Sequence, residues 1–166
     1  MPELFLISHP SHNQMNKKID IIRKSRLKML ELLGDLSAQQ MNQIPEGFNN
    51  NIIWNMGHLI AAQESVLYRR SGLSLNVEQD FFDAYKPGSR PGNKLEAGEI
   101  EKIKSMLFST LDLAEADLQR DAFRDYKNWT AHYGFDINSI NDALSFLPFH
   151  EGLHLGAMLT YKRMLV

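Results

Sequence analysis

The stretch Phe149-His150-Glu151-Gly152-Leu153-His154-Leu155-Gly156, near the end of the 166-residue chain, decides how the fold is organised. Residues four apart on an α-helix lie about 40° apart around the axis, one turn above each other. His150 and His154 therefore share one helix face, where both imidazoles can reach the same metal ion. Two ligands from one helix do not complete a site, so a further ligand must come from elsewhere in the chain.

The best candidate for the third ligand is His58, in Trp54-Asn55-Met56-Gly57-His58-Leu59. The same helix face carries Asn51 and Asn55, and Ala61 leaves space beside the imidazole. A lone histidine on an apolar face is more often a core residue with its hydrogen bonds satisfied. Here the neighbouring amides and the second pair of histidines favour a ligand. We therefore predict a three-histidine metal site between two helices.

The composition is that of one folded domain. Hydrophobic residues make up 43% of the chain and charged residues 23%, with a net charge of -2, so no broad basic surface for nucleic acid is predicted. There are no cysteines, so any metal must be held by histidine, carboxylate or water. No stretch approaches the ~20 apolar residues of a membrane span, and the N-terminus lacks the basic region of a signal peptide. We expect a cytoplasmic protein.

Four stretches have the apolar spacing of amphipathic helices. They run over about Asn16–Leu33, Asn51–Ser71, Leu95–Leu118 and Ile140–Arg163. Two long connections, residues 73–95 and 119–137, separate them. Residues 1–12 are predicted to be a flexible N-terminal arm and residues 13–166 a single domain. The sequence thus predicts an all-α fold, a four-helix bundle with two long connecting loops, in which sites form between facing helices.

His150-Glu151-Gly152-Leu153-His154 also matches the zinc-peptidase pattern H-E-x-x-H, in which the glutamate is the general base. Such enzymes take a third ligand from downstream, but only 12 residues follow His154 and none is His, Asp or Glu. A peptidase is therefore a minor alternative. Glu151 lies about 100° from His150 and about 60° from His154 around the helix. It is the candidate catalytic base; orienting a ligand and facing solvent are the other interpretations.

Together the two histidine motifs make the chain resemble the DinB-like superfamily of four-helix-bundle proteins. The resemblance covers nearly the full length, including Gly88-Ser89-Arg90-Pro91. The superfamily's metal triad maps onto His58, His150 and His154. The resemblance implies a nickel or zinc ion and a homodimer.

Characterised relatives in this superfamily include S-transferases that use bacillithiol or similar low-molecular-weight thiols, and a mycothiol-dependent isomerase. Many relatives have a glutamine directly after the glycine of the last motif, where this chain has Ala157. If that glutamine binds substrate in those relatives, the substrate of this chain differs.

Three neutral imidazoles leave coordination positions open, which is the arrangement of a catalytic metal rather than a structural one. An open position can hold water or a thiol, whose proton the metal would make easier to lose. The first hypothesis is therefore a thiol-dependent S-transferase acting on a small electrophile, with Trp54, Asn55 and Tyr161 as predicted substrate-binding residues. The alternatives are a metal-dependent hydrolase and a non-catalytic bundle that binds a ligand or partner.

Overall fold

The computed structural model of the protein describes residues 12–165. The predicted N-terminal arm lies outside the described residues, apart from His12, which begins the first helix. The elements in chain order are α1 (His12–Leu33), α2 (Ala38–Asn42), α3 (Ile52–Leu67), α4 (Gln79–Tyr85), α5 (Ala97–Gln119), β1 (Trp129–Thr130), β2 (Asp136–Ile137) and α6 (Ile140–Leu165). Between residues 12 and 165, no helix has the length and apolar character needed to cross a membrane.

The four long helices form a bundle, which confirms the predicted all-α fold. Helices α1 and α3 each pack against both α5 and α6, so the four alternate around a common interior. The apolar interior forms two clusters along the bundle. One is centred on residues such as Ile22, Leu67, Leu111 and Leu144, and the other on residues such as Met29, Met56, Leu107 and Met158.

Helix α3 is buried around its whole circumference. Every residue from Ile52 to Leu67 is buried except Ser65, because α2, α4, α5 and α6 all pack against it. Most residues of α3 are apolar, which is typical of a helix in a protein interior. Its first turn is capped by Asn51, whose side-chain oxygen accepts a hydrogen bond from the Trp54 backbone N–H at 2.8 Å. The polar residues of α3 are therefore held away from water.

The two predicted long connections are present, and each contains a short regular element that the sequence did not indicate. Residues 73–95 include α4, and residues 119–137 include an antiparallel pair in which Trp129 faces Ile137. A helix of seven residues and strands of two residues are too short to show a hydrophobic period. Packing against the bundle stabilises them instead: α4 contacts α3, and β2 contacts α6.

Helix α6 begins as predicted and continues through Pro148 to Leu165. The Ser139 hydroxyl accepts a hydrogen bond from the Asp142 backbone N–H at 3.2 Å, and the Asp142 carboxylate accepts one from the Asn138 backbone N–H at 3.1 Å. These bonds satisfy N–H groups that lack partners at a helix start. Both histidines of the terminal motif thus lie on one continuous helix.

Helix α4 packs closely against α3 at Gly57. A Cβ atom at this position would lie 2.4 Å from the Tyr85 ring, much closer than packed atoms allow. A glycine inside a helix costs roughly 0.5–1 kcal/mol relative to alanine. The close approach of Tyr85 provides a physical reason for glycine here, because the ring occupies the space of a side chain.

We expect Gly57→Ala to lower the free energy of unfolding by roughly 1–3 kcal/mol, because the added methyl group overpacks the contact with Tyr85. Urea unfolding followed by circular dichroism measures the effect. Gly98→Ala is the matched control: Gly98 also lies in a helix, but a Cβ there meets nothing within 4 Å. The control should be as stable as the wild type or more stable. Equal stability of Gly57→Ala and the wild type would contradict the close approach.

Candidate metal centre

The fold brings the three histidines of the sequence motifs together. One ring nitrogen from each of His58, His150 and His154 lies within 4.8 Å of the others. Their ring centroids are 4.5–5.3 Å apart. Zinc–nitrogen bonds of about 2.0–2.1 Å place the nitrogens of a tetrahedral site roughly 3.3 Å apart, so small side-chain rotations complete the site. The cluster fits a divalent metal held between α3 and α6.

Helix α4 fixes the orientation of the His58 ring. Its Nδ1 lies 2.7 Å from the backbone oxygen of Tyr85, the last residue of α4. A carbonyl oxygen only accepts hydrogen bonds, so Nδ1 carries the proton and Nε2 keeps its lone pair. The carbonyls of a last helical turn lack partners within the helix. His58 therefore gives the Tyr85 carbonyl at the end of α4 a hydrogen-bond donor, and its Nε2 is available as a metal ligand.

The ring of His154 is oriented by a chain of amides. Its Nδ1 lies 2.7 Å from the side-chain oxygen of Asn55. The Asn55 nitrogen donates to the Asn51 backbone oxygen at 2.7 Å and to the Asn50 side-chain oxygen at 3.0 Å, so Asn55 must turn its own oxygen toward the imidazole. The Tyr161 hydroxyl also donates to Asn50, at 2.7 Å. His154 Nδ1 thus carries a proton, and Nε2 is free to bind metal.

These contacts bear on the predicted substrate-binding residues. Asn55 and Tyr161 are only 1% and 4% exposed, and their polar atoms are engaged in the chain that ends at His154. The contacts fit the positioning of a ligand histidine, and direct substrate binding by these two residues stays a prediction. The sequence did not indicate a role for Asn50, because this residue precedes α3 and the helical spacing that relates Asn51 and Asn55 to His58 does not extend to it.

His150 provides a second indication of a bound ion. Its Nδ1 is buried and has no hydrogen-bond partner among the described residues. Buried polar atoms nearly always have a partner, and an unpaired imidazole nitrogen beside two other imidazoles is well suited to a metal. His150 and His154 are half-buried, so part of each residue is accessible to solvent.

The surroundings keep all three imidazoles neutral at pH 7. Burial lowers the pKa of His58, while the hydrogen bond to Tyr85 opposes this effect. Burial and the neighbouring His58 lower the pKa of His150 to about 4. Burial, followed by His150 and His58, lowers the pKa of His154 to about 3. Neutral imidazoles have the lone pairs that metal binding requires.

Glu151, the predicted catalytic base, is buried in an ion pair with α1. One carboxylate oxygen accepts hydrogen bonds from Arg26 Nε at 2.8 Å and Nη2 at 2.5 Å. Arg26 is fully buried and also donates to the Leu107 backbone oxygen in α5. Burial raises the pKa of Glu151, and Arg26 opposes that shift. The solvent-facing interpretation is wrong, since Glu151 is 3% exposed. Its role as a base stays a prediction, because the hydrogen bonds of its carboxylate are to Arg26.

Trp54 and Phe146 flank the cluster on different sides. The Trp54 indole stacks on His58, with centroids 4.8 Å apart and planes 11° apart, and its N–H donates to Ser89. The Phe146 ring lies 5.8 Å from the His150 ring. Each aromatic ring also lines a surface groove, of about 420 Å³ on the Trp54 side and about 360 Å³ on the Phe146 side. The histidines line neither groove. Trp54 and Phe146 are the groove residues whose rings contact the histidines.

We expect Glu151→Gln to lower the free energy of unfolding by about 3–5 kcal/mol, because it leaves the buried Arg26 charge uncompensated. Urea unfolding of the metal-free protein measures the loss. Glu115→Gln is the matched control, since Glu115 forms an exposed ion pair with Arg23 and its loss should change stability by about 1 kcal/mol at most.

The double variant Arg26→Met/Glu151→Leu should recover much of that stability, because it removes both charges from the interior. An unchanged unfolding midpoint in Glu151→Gln would contradict the structural role of the ion pair. If activity were then lost as well, Glu151 would be assigned as the base.

We expect Asn55→Ala to weaken zinc binding by about 10- to 100-fold, because the variant no longer fixes the tautomer and orientation of His154. Titration against a chromophoric chelator measures the affinity. Asn128→Ala removes an exposed amide from a loop and should bind zinc as the wild type does. Wild-type affinity in Asn55→Ala would show that the amide chain does not position the ligand.

The comparison with known families agrees with this architecture. The model of the DinB superfamily matches residues 21–158, a range that contains all three histidines and most of the four long helices. A search of curated proteins found no match. The fold and the three-histidine cluster accord with the family match, and this chain belongs to the DinB superfamily.

Proposed function

We propose that the protein is a metal-dependent S-transferase, which joins a low-molecular-weight thiol to a small electrophile. The observation that carries the proposal is the open set of three histidines. For two of them, the nitrogen that does not face the cluster is held by a fixed acceptor, the Tyr85 carbonyl or the Asn55 amide. Structural zinc sites use four protein ligands, whereas three ligands with an accessible side are typical of catalysis.

The residues present fit zinc or nickel, since imidazole suits both metals. The ion would be held by His58, His150 and His154 and, when bound, would stabilise a thiolate by lowering the pKa of a coordinated thiol. In the overall reaction, the thiol sulfur bonds to the electrophilic carbon and the leaving group departs with the bonding electrons. The thiol proton goes to solvent; transfer through Glu151 stays a separate prediction, since Arg26 binds one oxygen of its carboxylate.

The chain contributes orientation and shielding to this reaction. Asn55 and the Tyr85 carbonyl fix two of the ligand rings before any metal arrives, which reduces the cost of ordering them. Trp54 covers one face of His58 and limits the approach of water from that side. The half-buried edges of His150 and His154 leave a path for the thiol and the electrophile.

A metal-dependent hydrolase is the second candidate, because water can occupy the same open position. The peptidase version of this alternative needs Glu151 beside the metal-bound water. The ion pair with Arg26 argues against that arrangement. A hydrolase would act without any thiol, and this difference separates the two candidates experimentally.

The test begins with elemental analysis of protein prepared without a histidine tag or chelator. We expect about one zinc or nickel ion per chain in the wild type and loss of the ion in His58→Ala and His154→Ala. His132→Ala is the matched control, since this exposed loop histidine lies outside the cluster and its removal should leave the metal content unchanged.

The loaded protein is then incubated with 1-chloro-2,4-dinitrobenzene and, in turn, bacillithiol, mycothiol, glutathione and cysteine. Thioether formation above the uncatalysed rate is expected with at least one thiol and should be lost in His58→Ala. Full activity in metal-free protein would overturn the proposal. Product formed equally well without thiol would favour the hydrolase.

The homodimer and the cytoplasmic location belong to the same proposal. They are supported by the resemblance to thiol-dependent relatives, whose cofactors are intracellular thiols. Light scattering coupled to size-exclusion chromatography measures the oligomeric state. A single peak at about 19 kDa, the mass of one chain, would show that the protein is a monomer.

A further inference from the structure

An apolar groove lies between the β1–β2 hairpin and α6. We call it the aromatic groove; it has a volume of about 360 Å³, and its principal lining residues are Phe135, Phe146, Phe149, Asp136 and Asp142. Phe135 and Phe149 are 45% and 41% exposed, which is unusual for neighbouring phenylalanines. Exposed apolar patches of this kind commonly mark binding sites.

The rings in and around the groove contact one another. The Phe149 ring lies 5.4 Å from Tyr133 and 5.2 Å from Phe135, in both cases nearly perpendicular. It also lies 6.3 Å from the Phe146 ring. These are the favourable separations and angles of aromatic pairs, so the rings hold one another in place. An aromatic ligand can add to these rings without reorganising them.

The aromatic groove adjoins the histidine cluster through the ring of Phe146. Phe146 lines the groove and lies 5.8 Å from the His150 ring, and Phe149 directly precedes His150 on α6. The volume is within the usual range of ligand pockets, and a cavity of about 150 Å³ is enough to hold benzene. A molecule with one or two rings therefore fits in the groove with its reactive end near the metal ligands.

The charges of the groove select against an anionic ligand. Asp136 and Asp142 lie along it, each with one oxygen held by a neighbouring hydroxyl, Thr130 and Ser139 respectively. Lys18 interacts with Asp142 but donates its hydrogen bonds to Asn141 and Ser145. Arg70 stacks on the Trp129 ring, which contacts Phe146 from outside the groove lining. The groove on the Trp54 side is different, because asparagines, Lys94 and Glu99 stand there beside the apolar lining residues and make it the more polar of the two grooves. The polar groove suits a polar thiol, and the aromatic groove suits an apolar molecule.

We propose that the aromatic groove binds the electrophile through an aromatic group that is uncharged or cationic, and holds it beside His150. The assignment of this ligand as the electrophile rests on the proposed transferase function. Binding of the aromatic group itself needs neither the metal nor the thiol, so the two proposals can fail separately.

The binding test uses a matched pair of unreactive probes, 2-naphthylmethanol and 2-naphthoate, with calorimetry on the full chain. The neutral probe should bind more tightly than the anionic one. Phe135→Ala and Phe149→Ala should each weaken binding of the neutral probe by about 3- to 10-fold, since each removes an aromatic contact. Leu113→Ala is the matched control, because Leu113 is similarly exposed, at 47%, on α5. Unfolding midpoints verify that the exposed substitutions leave the fold intact.

The same titration in metal-free His58→Ala separates the two proposals. If His58→Ala still binds naphthylmethanol while the wild type turns over no thiol, the transferase function is rejected and ligand binding in the groove is retained. If the wild type and Phe149→Ala turn over 1-chloro-2,4-dinitrobenzene with the same KM, binding of the electrophile in the groove is rejected and the transferase function is retained. Equal binding of both probes would overturn the proposed charge selection.

A second copy of the chain is the competing occupant of the groove. Light scattering of the wild type, Phe149→Ala and Leu113→Ala decides this point. If Phe149→Ala converts a dimer to a monomer while naphthylmethanol affinity stays unchanged, the groove is a subunit interface and the proposal is wrong. An unchanged oligomeric state with weakened probe binding supports it.

Discussion

The burial of α3 imposes the constraint on which the candidate site depends. A polar group held away from water costs free energy unless it finds a partner within the protein. His58 and Asn55 meet this requirement at the Tyr85 carbonyl and at His154. Each partner also fixes a ring that belongs to the histidine cluster. The need to satisfy buried polar groups and the need to orient metal ligands are therefore met by the same hydrogen bonds.

The same polar contacts join the elements of the bundle around the cluster. His154 and Asn55 connect α6 to α3, His58 connects α3 to the end of α4, and Arg26 connects α1 to both α5 and α6. Glu151 directly follows His150 in the sequence. Its ion pair with Arg26 therefore holds the turn of α6 that carries this ligand. A buried ion pair adds little net stability compared with apolar packing, but it strongly disfavours any arrangement that separates its charges.

The part of this arrangement that sequence predicts is the part that depends on local spacing. The i, i+4 pair of His150 and His154, the apolar periods of the long helices and the cap at Ser139 are all properties of neighbouring residues. The direction of Glu151 depends on Arg26, which is 125 residues away in the chain, and no local pattern shows that pairing. Likewise α4 and the hairpin are too short to have a period, although α4 supplies the acceptor for His58.

Recognition of the substrate requires features other than the metal ligands, and position 157 shows why. The resemblance implies a glutamine at this position in many relatives, whereas Ala157 of this chain packs against the apolar interior. An amide is therefore missing from the turn of α6 that follows His154. The ring-lined surface beside His150 comes instead from the hairpin and the first half of α6. Connections vary more readily than the helices of a core, so one arrangement of metal ligands can serve different substrates when the neighbouring hairpin changes. In this chain, that division of roles favours an apolar substrate.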